Sequence, residues 1–143
     1  MLNTLTDLDE TGLGVGRKLL IACWLHAPLI GLMAWLQDAP ILWFAGVSLA
    51  VTAIAEADRM LDPVRARMSI SIALMVQVAL MTAALSGHEW QVDMHMYFFA
   101  MLAILTLLAS IPAIIAGAAA VAVHHLTFNF LAPELIYPGG SDL

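Results

Sequence analysis

Charge is what this chain has least of. Of 143 residues, 11% are Asp, Glu, Lys or Arg and 62% are hydrophobic. A soluble domain carries about 25% charged residues, so an ordinary water-soluble core is set aside. Five Lys and Arg residues are too few for a nucleic-acid footprint, and three of them (Arg59, Arg65, Arg67) crowd one connector. The net charge of -6 comes from acids in loops and at the termini. One cysteine, Cys23, excludes an internal disulfide; inside an apolar run it reads as a small core residue. The start has no basic secretory signature. Gly12, Gly14 and Gly16 alternate without a preceding strand, so they do not make a phosphate-cradling loop. No Lys lies in the interior of an apolar run, which argues against a retinal-type Schiff base. No nucleophile motif or carboxylate pair supports hydrolysis, and an enzyme is not expected.

What is present is a series of apolar runs, with a mean hydropathy of +0.93. Five runs are long enough to cross a hydrocarbon layer of about 30 Å. The spacing predicts spans over 17–37, 41–56, 68–85, 94–110 and 113–131, with Ile111-Pro112 breaking the last two apart. The expectation is an all-α polytopic membrane protein, a bundle of about five helices. Residues 1–16 read as a short cytoplasmic tail, 17–143 as a transmembrane helical domain, and residues from Ala132 onward as a closing tail. Arg17 and Lys18 fall on one side with Arg59, Arg65 and Arg67, whereas the opposite loops contain no Lys or Arg. The positive-inside rule then places the N terminus in the cytoplasm. Five spans would leave the C terminus outside, where a cytoplasmic output would need one more crossing.

Against this apolar background stand five histidines. Imidazole is costly in hydrocarbon, so several at one depth suggest a shared site. His88 and His95 flank the loop GHEWQVDMHMYFF; His124 and His125 form a pair in the last span, and His26 lies mid-span beside Pro28. At 1.5 Å per residue the pair lies about 10 Å below the end of its helix. Pro28 frees a backbone carbonyl and invites a kink. His26, His88, His95, His124 and His125 are therefore the candidate metal ligands. Asp93, Met94, Met96, Tyr97 and Asn129 are candidates to orient them, with Asp93 alternatively an N-cap. Mixed imidazole and thioether donors favour copper, with zinc or iron as other choices. A b-type haem between His95 and His124, His125 or His26 is the alternative, and a metal-free network that reads pH or holds a quinone-like ligand is a third use. On span two, Ser48, Thr52 and Glu56 recur every four residues; Glu56 is placed to pair with Arg59 or Arg65. Gln77 reads as a polar contact between helices.

The strings GHEWQVDMHMYFFAMLAIL and AVAVHHLTFNFLAPELIYPGG, with His26-Ala27-Pro28, resemble the membrane-embedded N-terminal region of some multi-pass bacterial methyl-accepting chemotaxis proteins. The resemblance implies a sensory input unit of the bacterial inner membrane, carrying His26, His88, Asp93, His95, His124, His125 and Asn129 at matching positions. In that family a further helix and a cytoplasmic coiled coil follow, and this chain lacks both. The partners it implies are the bilayer, a bound metal or haem, a second copy in a dimer, and a cytoplasmic signalling module. A small membrane cytochrome exchanging electrons with quinone, and a structural subunit of a larger complex, are the competing classes.

Overall fold

The computed structural model describes residues 2–137, and the side chains from Glu10 onward. Five helices follow one another: α1 (Leu2–Leu36), α2 (Ile41–Arg59), α3 (Pro63–Ala84), α4 (Gln91–Leu105) and α5 (Ile111–Leu131). Single 3₁₀ turns occupy Thr106–Leu108 and Pro133–Leu135. Within these, the spans Glu10–Leu36, Ile41–Arg59, Pro63–Ala84, Gln91–Leu108 and Ile111–Leu131 are long and apolar enough to cross a membrane. Short connections make sequence neighbours antiparallel.

α3 is the central helix and packs against all four others. Its span is 67% buried, against 28% or less for the rest. Ile70, Leu74, Met75 and Val78 of α3 meet Leu20 and Cys23 of α1, Phe98 and Leu105 of α4, and Ala113 of α5 in one apolar cluster. A second cluster joins Ile30 and Ala34 of α1 to Phe44 of α2 and Leu80 and Met81 of α3. Between α2 and α3 the buried groups are polar. Ser48 Oγ donates to Gln77 Oε1 at 2.7 Å; Gln77 Nε2 donates to Thr52 Oγ1 at 2.9 Å and to the Ser48 carbonyl at 3.2 Å. All three residues are fully buried, so Gln77 joins two helices as its sequence position suggested. Glu56 accepts from Arg59 at 2.6 Å.

Helix starts fall earlier than the sequence expectation in α1, α3, α4 and α5. The segment read as a tail, 1–16, is helical from Leu2. Glycine in a helix interior costs about 1 kcal/mol relative to Ala, but here glycine permits contact. A Cβ on Gly12 would lie 2.6 Å from the Leu108 carbonyl oxygen, and one on Gly16 would touch Ile70 and Leu108. α1 also runs unbroken through Pro28. α3 begins at Pro63, five residues early, because Asp62 caps it by accepting from the Arg65 N–H at 2.8 Å and proline suits the first turn. α4 begins at Gln91, so Asp93 is a first-turn residue and not the N-cap; Trp90 holds that place without a side-chain bond. The break between α4 and α5 lies at Ala109 (φ 49°), and Ser110 caps α5. Pro112 falls in the first turn of α5, where its missing N–H has no partner to lose.

The closing tail folds back. Ile136 is buried, and the Glu134 carbonyl accepts from Ser86 Oγ at 2.7 Å and Gln91 Nε2 at 3.0 Å. Gln91 Oε1 also accepts from the N–H of Gly87, whose φ of +77° suits glycine. Thus Pro133–Leu135 straps the end of the bundle where α3 passes into α4. Residues 138–143 lie outside the described residues.

Candidate functional site

α4 and α5 bring three of the five histidines together. His125 Nδ1 lies 2.8 Å from the Val121 carbonyl, one turn back on α5. A carbonyl only accepts, so that nitrogen carries the proton and Nε2 holds the lone pair. His95 Nε2 lies 2.8 Å from His125 Nε2 and donates to it. The two rings stand nearly perpendicular, centroids 4.9 Å apart. The backbone of Ile136, in the strap, lies beside His95. The carbonyl that aligns His125 does for imidazole what an orienting acceptor does for a metal-binding histidine.

His124 occupies the adjoining face of α5. Its ring packs on Phe98 (5.3 Å), Phe128 (5.1 Å) and His125 (5.3 Å). It is 8% exposed, and its Nε2 is buried without a hydrogen-bond partner among the described residues. A neutral imidazole left unmet in an apolar setting costs about 1–3 kcal/mol. One wall of a cavity of about 560 Å³ is formed by α5, His124 and Phe128 included, and the rest by α2, α3 and Leu135 of the strap.

The other candidates lie elsewhere. His26 is buried between α1 and α4; its Nδ1 donates to the Ala22 carbonyl at 2.6 Å, and its Nε2 lies 3.4 Å from the Tyr97 hydroxyl. Tyr97 therefore serves His26 rather than the α4–α5 trio. His88 stays in the loop, accepting from the Trp90 N–H at 3.1 Å with its ring against Trp90. Asp93, Met96 and Asn129 are exposed. Met94 packs on the second apolar cluster. The thioethers expected beside His95 thus point away from its ring: residues 94 and 96 flank 95 at about 100° on either side. Among the described residues no group of three or more His, Cys, Asp or Glu side chains is arranged to hold a metal ion.

Three contributors escaped the sequence reading: Phe98, Phe128 and Gln91. The aromatics were findable, since Phe98 follows His95 by three and Phe128 follows His124 by four, the spacing that stacks side chains on one helix face. Gln91 carried no such signal, because its partners are backbone groups of a turn and a strap distant in sequence.

The paired Nε2 atoms set limits on what can be held. Two imidazoles on one tetrahedral metal need nitrogens about 3.4 Å apart, and on a linear two-coordinate metal about 4 Å, with metal–nitrogen bonds of about 2 Å. Opening from 2.8 Å is a helix adjustment of about 0.6–1.2 Å. A haem between the same two nitrogens does not fit: its macrocycle would have to enter a direct N–H···N contact between perpendicular rings. His26 is likewise unsuited as an axial partner of His95, since its Nε2 faces Tyr97.

Comparison with protein-family models, curated proteins and solved structures returned nothing similar.

Proposed function

We propose that the chain is a membrane-embedded sensory domain of the bacterial inner membrane, without catalytic activity, that binds a transition-metal ion between His95 and His125. The N terminus lies in the cytoplasm, which puts the pair in the periplasmic half of the bilayer. The observation that carries the reading is the Nε2-to-Nε2 contact of 2.8 Å, with His125 already aligned by Val121. Copper is the first choice: Cu(I) accepts two-coordinate nitrogen sites, whereas zinc requires further ligands that this pair lacks.

Binding has a mechanical consequence. His95 must hand its Nε2 proton to solvent or to its own Nδ1, and the two nitrogens, 2.8 Å apart, must separate by about 1.2 Å to admit a two-coordinate ion. α4 and α5 then shift against each other while α3 holds both. The strap beside His95 moves with them, and an attached or partner output module reads the change. The likeness to chemotaxis sensory regions supports this direction of signalling.

Anaerobic titration of the purified protein with Cu(I) against a chromogenic chelator tests the proposal. One copper per chain is expected, lost in His95→Leu and in His125→Leu and kept in His88→Leu. Undiminished binding in His125→Leu, or sub-stoichiometric binding in the wild type, would overturn it.

A further inference from the structure

α2 and α5 both pack along α3 without extensive contact with each other, and the cavity lies between them. Its walls include Val47 of α2, Ala79 and Ala83 of α3, and Ala116 and Ala120 of α5. From Ile72 to Ala83 on α3 it extends eleven residues, about 17 Å at the helical rise. Alanine on α3 and α5 makes the groove; larger side chains would close it. Among the described residues no charged side chain lines it. Among the described lining residues the only one with a strongly polar group is His124, which is more than nine-tenths buried and whose Nε2 makes no hydrogen bond. Trp43, Phe128 and Leu135 stand at the same end of the groove.

These features select among occupants. A hydrocarbon chain, or an apolar helix from a second copy, fills the volume but leaves the imidazole unmet. A phosphate or carboxylate head finds no cation in the groove. A flat, neutral ring bearing a carbonyl or hydroxyl, with an apolar chain attached, satisfies every feature at once. The ring seats between the aromatic side chains and hydrogen-bonds to His124, and the chain runs along the alanines. We infer that this groove binds a lipid-soluble quinone, with His124 donating to a quinone carbonyl or accepting from a quinol hydroxyl. His124 lies on the face of α5 adjoining His125, with ring centroids 5.3 Å apart, and the groove does not depend on metal binding at the His95–His125 pair.

The test is fluorescence quenching of the folded protein in detergent micelles by a benzoquinone carrying a ten-carbon chain. Trp43 lines the groove, so occupation quenches it. Saturable quenching is expected, and Trp43→Phe removes most of its amplitude. His124→Leu weakens binding about tenfold, the loss of one hydrogen bond in apolar surroundings. His124→Gln, which keeps a donor, stays within about threefold of wild type. Ala120→Phe fills the groove, leaves His124 in place and abolishes saturable quenching. His95→Leu, which disables the metal pair, leaves quinone affinity unchanged, so the two readings fail separately. Quenching that rises without saturation in the wild type, or equal affinity in wild type, His124→Leu and Ala120→Phe, would overturn the inference.

Discussion

Gln77→Leu probes the polar contact that locks α2 to the central helix. Leucine approximates the volume of glutamine, so the change removes hydrogen bonds with little cavity formation. Three are lost: Ser48 Oγ to Oε1, and Nε2 to Thr52 Oγ1 and to the Ser48 carbonyl. Thr52 keeps its own bond to the Ser48 carbonyl at 2.8 Å, and the Ser48 hydroxyl can turn to the carbonyl one helical turn back. Hydrogen bonds between membrane helices contribute about 0.6 kcal/mol each on average. The expected destabilisation is therefore about 2 kcal/mol, rising to about 3–5 kcal/mol for Gln77→Ala, which adds a cavity. Reversible unfolding in mixed micelles, followed by far-UV circular dichroism, measures both. Ser48→Ala alone and combined with Gln77→Leu completes a cycle, with coupling of about 0.5 kcal/mol or more expected between contacting residues. A Gln77→Leu protein as stable as wild type, with additive effects in the cycle, would refute the reasoning.

Gly12→Ala is expected to destabilise by about 1 kcal/mol or more despite the helix propensity of alanine, since the new Cβ meets a backbone oxygen at 2.6 Å; Gly14→Ala, with nothing within 4 Å, should stabilise by up to about 1 kcal/mol in the same unfolding assay. Gln91→Leu removes both the bond from α4 to the Glu134 carbonyl of the strap and the bond that the Gly87 N–H donates to the Gln91 side chain. Hydrogen exchange should accelerate at Gly87 and through Leu135–Tyr137, while α3 remains protected.

The helices were legible in the sequence because long apolar runs with few charges have one stable form in a bilayer. Their ends were less so. Asp62-Pro63 is a helix start written in residues that also read as a polar connector, and the continuation of α1 through Gly12 and Gly16 depends on contacts with Ile70 and Leu108 far along the chain. The site was legible as a set of histidines, but its membership was not. Sequence gives depth along each helix, and depth grouped His26 with His95, His124 and His125. Rotation about each axis then separates them: His26 turns to Tyr97, and His95 and His125 turn to each other. The methionines beside His95 shared its depth and not its face. The groove was invisible, because it arises from the gap between α2 and α5, which no local pattern records.

X-ray absorption at the copper edge of the Cu(I)-loaded protein tests the central claim most directly. Two imidazole nitrogens at about 2 Å, without a sulfur neighbour, are the expected coordination. Sulfur scattering from Met94, Met96 or Cys23, or a spectrum unchanged when His95 and His125 are both replaced by leucine, would contradict it.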